Sequence, residues 1–379
     1  MRLNVLHCHS TFSLGGKEAR AVRLMNAFGA TARHTVLSSV AGALDARKAI
    51  DSWIDVDFPE DAPSLTGRPS VARYRDMADY MRRFDLILTY NWGAMDAVTA
   101  RRIFAKSLPP LVHHEDGFNA DESGGLKTER TLMRRLVLPA AHAVVVPSKT
   151  LERIALETWK QPVARVHRIS NGIPVSAHSI TPQKNAIPGL RRKPNEIIIG
   201  TVAGLRAVKN IPRLVRAALS IPATRLVVVG EGPERDAILA TAAAMGVSDR
   251  LVMPGFLPDP RKYIGLFDIF ALSSDSEQFP IALVEAMAAG LPVATTHVGD
   301  VAVILPPEQH PFVTACDDYA LAGALRQLVA DRVLRAKLGA ANHALALAAY
   351  DEGTMIAAYA RLYDAALGNN GAQFSAKAL

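Results

Sequence analysis

Two glutamates with seven residues between them, Glu277 and Glu285, stand in the segment SEQFPIALVEAMAAGLPV. Pro280 just inside the start, and Gly290 and Pro292 past the end, bracket a short helix there. Glu277 precedes that helix and Glu285 lies within it, so the carboxylates reach different parts of one ligand. Carboxylates accept hydrogen bonds from paired hydroxyls, the groups that sugars and riboses present. The free N–H groups of Gln278, Phe279, Ile281 and Ala282 at the same helix start suit a sugar or a phosphate. A second segment, AGLRAVKN (203–210), follows an apolar run and carries Arg206 and Lys209. Both can reach a diphosphate, whose charges otherwise lose their solvation inside a cleft.

Two further loops follow strand-like runs in the first half. In CHSTFSLGGK (8–17), Gly15 and Gly16 let the backbone approach a ligand just before a helix. The pattern is not GxGxxG, which counts against a nicotinamide dehydrogenase. The second loop places His113, His114, Glu115 and Asp116 in a row. Four ionisable groups after a buried strand are costly unless some face a solvated cavity. Alternation sets His113 and His114 on opposite faces, a poor metal pair. The expectation is one hydrogen-bonded structural residue and at least one of the four facing a cleft.

No metal site is expected. His7 and His9 share a face, but no nearby carboxylate or cysteine completes a ligand set. Asp55 and Asp57 lie in SWIDVDFPEDAP, which reads as a surface loop.

The elements that must hold these loops are short β-branched runs alternating with amphipathic helical stretches, the pattern of parallel βαβ sheets. Strands are expected near residues 3–7, 34–38, 86–89, 111–114, 143–147 and 166–169. A second series covers 196–201, 225–229, 251–253, 269–273 and 292–295. Helices between them include 17–28, 70–83, 127–140, 211–220, 234–245, 281–289 and 320–338. The stretch 176–195, with three prolines and a basic cluster, reads as a linker between domains. At 379 residues the chain accommodates two domains of ordinary size. We divide it into 1–178, 179–354 and a terminal segment 355–379, whose helix crosses back to the first domain and ends in a frayed tail.

Composition sets outer bounds. The apolar fraction of 49% and charged fraction of 21% describe a globular chain. No apolar run is long enough to span a bilayer. Cys8 and Cys316 imply no disulfide framework, and the start at Met1–Leu6 shows no apolar leader, so a cytoplasmic protein is expected. The net charge of +7 favours anionic partners: a nucleotide diphosphate, or an anionic membrane face contacted peripherally. Nucleic acid is disfavoured, because the basic residues are dispersed and no aromatics interleave them.

The segment around Glu277 and Glu285 resembles the E-x7-E signature of family 4 of the retaining glycosyltransferases, which have the two-domain GT-B fold. The resemblance extends to Gly230-Glu231-Gly232-Pro233, to Leu251–Phe256, to Asn171-Gly172-Ile173 and to Gly15-Gly16. It implies two Rossmann-like, doubly wound domains facing across a cleft, the second binding a nucleotide-diphosphate sugar as co-substrate, with no cofactor. It further implies that Glu277 bonds the donor sugar, Glu285 the ribose, and Lys209 the diphosphate, with Arg206 assisting. Donor contacts are implied at Gly15, Gly16, Gly230, Phe256, Gln278, Phe279, Pro280 and Ile281. An acceptor-side histidine is common in the family, and His113, His114 and Asp116 are the candidates here. Gly204 stands where the family often has arginine, and Gln278 where it often has glycine.

The implied reaction is metal-independent transfer to a saccharide or lipid-linked acceptor with retention, in envelope or exopolysaccharide synthesis. The other readings of this sequence are a nucleotide-sugar epimerase and a non-catalytic sugar-nucleotide sensor or scaffold. The complete set of Glu277, Glu285 and Lys209 favours catalysis, since a simple binder tolerates losing one. A phosphorylase would need a pyridoxal-binding lysine context, which is not found.

Overall fold

The computed structural model describes residues 2–13, 15–105, 108–118, 122, 125–368 and 374. The tail expected to fray beyond Gly368 thus lies outside the described residues, Phe374 excepted, as does Leu14 of the first glycine loop. The chain forms two compact units, Met1–Gly172 with Gly353–Leu379, and Ile173–Glu352.

The first unit is built on a seven-stranded sheet. Its strands are β1 (Leu3–His9), β2 (Ala32–Ser38), β3 (Val56–Asp57), β4 (Leu86–Tyr90), β5 (Leu111–His114), β6 (Ala143–Val146) and β7 (Val166–Arg168). They lie in the order β3-β2-β1-β4-β5-β6-β7 and pair in parallel throughout. The helix Glu352–Leu367 supplies Met355, Ile356, Tyr359 and Tyr363 to the same core as Leu3, Val5 and Phe28.

The second unit repeats the plan with six strands. These are β8 (Ile197–Val202), β9 (Thr224–Val229), β10 (Leu251–Gly255), β11 (Ile269–Leu272), β12 (Val293–Thr296) and β13 (Val313–Thr314), in the order β10-β9-β8-β11-β12-β13. Helices cover both faces of such a sheet, so central strands are apolar runs rather than alternating ones; β9, TRLVVV, is buried at every position. In each unit the strand order reverses beside the first strand, between β1 and β4 and between β8 and β11. Loops leaving those strand pairs diverge and open a crevice at their carboxyl ends.

Several elements differ from expectation. Val56–Asp57 is not loop but a two-residue edge strand, with His34 opposite Val56. Asp55 beside it pairs with Arg33 at 3.3 Å and Arg2 at 3.9 Å, as a surface carboxylate does. The single helix expected at 320–338 is two, Asp318–Ala330 and Arg332–Ala349, because Asp331 leaves the helical region (φ −118°, ψ 101°) and caps the second through Leu334 N. The proline-rich stretch 176–195 packs on the second unit: Ile187 is buried with Ile173 and Val175, and Gln183 N donates to Lys262 O. The chain passes between units at Gly172 and Ile173 instead.

Candidate functional site

The crevice of the second unit is made by the loops after β8 and β11. They are joined by backbone and side chain: Asp275 N donates to Val208 O, and Ser273 Oγ to Lys209 O at 3.0 Å. Asn210 takes a left-handed conformation (φ 41°), caps the helix Ile211–Leu219 through Arg213 N, and donates to Asp275 at 3.0 Å. Arg213 completes the clamp on Ser273 O and Asp275.

This clamp brings Lys209 and Glu277, 68 residues apart, to 2.6 Å. Ser274 Oγ donates to the same carboxylate oxygen at 2.6 Å. Lys209 and Glu277 are both largely covered, so their charges attract more strongly than at an open surface. Arg206 is exposed and, among the described residues, makes no ion pair. Gly204 is also exposed, and a Cβ there would meet nothing nearer than Arg206 Nε at 4.0 Å. A side chain longer than glycine's therefore fits at 204.

Two glycines fix the backbone beneath. Gly230 has φ +140°, and a Cβ on it would lie 1.9 Å from Ala203 O. That position is filled by the loop after β8, so only glycine fits at 230. Gly299 has φ +51°, and its Cβ would lie 1.9 Å from Glu277 O. Sequence reasoning missed Gly299; its only signal is the Val-Gly-Asp turn after β12.

The other expected donor residues are distributed around this pair. Gln278 Oε1 is buried and has no hydrogen-bond partner among the described residues. Phe279 packs edge-on against Tyr350, 5.8 Å between centroids, and Pro280 stands at the N-cap of the helix Ile281–Ala288, its carbonyl accepting from Leu283 N. Glu285 lies on that helix, near enough to Tyr263 that its charge, second to burial, pushes the phenol up. Phe256 follows β10 and is 60% exposed, a ring face open to solvent.

The first unit treats its candidates differently. Gly15 caps the helix Gly16–Phe28 and is exposed with Gly16, while Lys17 is held by Thr11 O and Glu18. His114 is fully buried; Nδ1 is bonded to Thr89 O at 3.1 Å and Nε2 to Tyr363 Oη at 3.0 Å. Both ring nitrogens are occupied, so the expected catalytic part for His114 is corrected to a structural one. His113 is buried against Thr89 Oγ1, and Glu115 against Arg134. Opposite faces of the sheet thus receive the two histidines, but both faces are covered. Asp116 is partly exposed and bound by both terminal nitrogens of Arg20, which also donates to Asn171. His7 bonds Tyr90 and His34, and His9 stacks on Tyr90 at 4.0 Å. Burial pushes His7, His9 and His114 well below the ordinary histidine range, and His34 to about 4.

Comparison with known proteins bears on the family and the fold. The profile "Glycosyltransferase Family 4" matches residues 14–177, and "Glycosyl transferases group 1" matches 182–344. A lipopolysaccharide core biosynthesis glycosyltransferase of Rhizobium meliloti, LpsE, is 30% identical over 155 residues, 41% of this chain and 46% of that protein. The N-acetyl-alpha-D-glucosaminyl L-malate synthase of Bacillus anthracis is 28% identical over 149 residues, 38% of this chain and 39% of its own. The matched segment thus spans less than half the length of these relatives. In fold, the chain is similar to Anabaena HepE, solved in complex with UDP, at a TM-score of 0.78 with 20% identity, covering 96% of this chain and 99% of that one. A Rickettsia africae glycosyltransferase gives 0.77 at 14% identity, covering 97% and 100%. With one profile on each half, two doubly wound units and the E-x7-E helix at the second switch point, the chain belongs to glycosyltransferase family 4 and has the GT-B fold.

Proposed function

We propose that the protein transfers a sugar from a nucleoside-diphosphate sugar to a hydroxyl of a saccharide or lipid-linked acceptor, retaining the anomeric configuration and using no metal. The observation that carries this is the Lys209–Glu277 pair at the switch point, with Arg206 open beside it. Glu277 neutralises Lys209. A diphosphate would take over the ammonium and free the carboxylate for the donor sugar's hydroxyls. Lys209, Arg206 and the start of the helix Ile281–Ala288 would then face the charge that develops on the leaving diphosphate. The departing phosphate itself can accept the proton of the acceptor hydroxyl.

The orphaned Gln278 Oε1 supports a hydroxyl-bearing ligand, because a buried acceptor without a partner is uncommon. The open Phe256 ring supports a stacked base, and Glu285 a bond to the ribose. UDP-sugars are the first donors to try, since HepE has been solved with UDP and with UDP-glucose. The lipopolysaccharide-core relatives support an envelope or exopolysaccharide acceptor. We place the protein in the cytoplasm, resting on an anionic membrane face. Among the described residues no helix is long and apolar enough to cross a membrane. Leu132 and Leu136 lie exposed one turn apart on the helix Thr128–Val137, beside the exposed Arg135.

The experiment is transfer from a panel of nucleotide sugars to saccharide and lipid-linked acceptors, with product configuration read by NMR. Turnover with a retained anomeric centre that persists in EDTA is expected. Hydrolysis or epimerisation without transfer, or activity that EDTA abolishes and Mn²⁺ or Mg²⁺ restores, would contradict the proposal.

A further inference from the structure

The first unit has a cavity of about 410 Å³ at the amino ends of β5, β6 and β7, the end of the sheet away from the switch point. Pro110 precedes β5, Ala141 and His142 precede β6, and Arg165 precedes β7, while Arg101 reaches in from the helix Met95–Ile103. No acidic residue is among its lining.

Its two arginines are positioned without being neutralised. Arg101 donates to Ala105 O at 2.7 Å, and Arg165 donates to Pro139 O. Among the described residues neither meets a carboxylate, and Arg101 Nε is buried with no partner at all. Elsewhere in the same unit Arg20, Arg73 and Arg134 meet Asp116, Asp96 and Glu115. Partial loss of solvent lowers the Arg101 guanidinium below its ordinary value, and the same effect, followed by His167 and Arg165, lowers the His142 imidazole. Like charges are thus gathered in a concave place with no counter-charge, at a cost that an anion would offset.

We propose that this cavity, lined by Arg101, His142 and Arg165, is a binding site for a phosphate group, separate from the donor crevice. Guanidinium forks match the tetrahedral oxygens of phosphate, and a fork already held by a carbonyl loses little freedom on binding. The depression is open to solvent, so a phosphate bound there can carry a substituent. Two sources have this chemistry, a phosphorylated small molecule and a lipid headgroup. Exposed apolar residues stand two positions from each arginine, Ile103 at 49% and Val163 at 77% exposure.

The test titrates inorganic phosphate into the full-length protein at constant ionic strength, following heat and the His142 ring signals. Saturable binding that shifts His142 is expected, unchanged in Lys209→Ala, whose loss is confined to the donor site. The double variant Arg101→Gln/Arg165→Gln should weaken it at least about tenfold. His142→Glu should do the same from an exposed position, by setting a carboxylate in the cavity without disturbing the fold. Co-sedimentation with vesicles of phosphatidylcholine, alone or mixed with phosphatidylglycerol, names the source. Capture by the anionic vesicles that His142→Glu abolishes identifies a headgroup. Capture that is absent or indifferent to His142→Glu, with phosphate binding still lost, identifies a soluble phosphate ester. Phosphate that fails to bind, or binds wild type and both variants alike, overturns the site.

Discussion

Glu277 and Glu285 share one motif but hold different positions. Glu277 is buried, bonded to Lys209 and Ser274, and must exchange a partner when a ligand arrives. Glu285 sits on the helix, near Tyr263. If it holds the ribose, Glu285→Gln loses a charge-assisted bond of roughly 1.5–3 kcal/mol. UDP and UDP-sugar should then both bind about tenfold to a hundredfold more weakly, read by isothermal titration. Equal affinity for UDP in wild type and variant would show that Glu285 does not touch the nucleoside.

At the scale of elements, the site depends on backbone closeness that only glycine permits. A Cβ at Gly299 would meet Glu277 O at 1.9 Å, and its φ of +51° disfavours any branched replacement. Gly299→Ala should therefore displace Glu277, lower turnover more than tenfold and reduce the melting temperature by several degrees, since about 1 kcal/mol is worth roughly 2–4 °C in a unit of this size. A variant with normal turnover and melting would remove Gly299 from the account. The alternation of strands and helices was legible in the sequence because each central strand is an apolar run bounded by turn residues. The edge strands β3 and β13 were not, since two residues each carry no period to detect. The break at Asp331 was hidden because apolar residues continue on both sides of it. Strand-end reasoning found Lys209 and Glu277 one at a time. That they meet depends on β8 lying next to β11, a neighbour relation no local pattern contains. His114 was misread for a related reason: on a parallel sheet, alternate faces are both interior, so alternation alone cannot say which side chain meets solvent.

For the whole molecule, the buried histidines of the first unit set a pH dependence. His7, His9 and His114 are held neutral well below 6.5, and His34 to about 4, chiefly by burial. The unfolded chain takes up these protons near pH 6.5 while the folded one resists them. Their contribution is complete above the unfolded value and is lost as pH falls from about 6.5 toward 4, by about 1.4 kcal/mol per histidine for each pH unit. Urea midpoints should fall steeply between pH 7 and pH 5. A flat profile across that window would mean the cluster is solvated or already charged.

In the proposed reaction Lys209, released from Glu277, receives the donor diphosphate. Isothermal titration of UDP against Lys209→Ala and Glu277→Gln tests it in one comparison. Lys209→Ala should weaken UDP about tenfold to a hundredfold and reduce the salt dependence of binding. Glu277→Gln should bind UDP as tightly as wild type or a few-fold more tightly, because the lysine no longer has a competing carboxylate, while turnover of the intact donor collapses. UDP binding that is the same in wild type and Lys209→Ala, or that is lost on Glu277→Gln in a folded protein, would contradict the account.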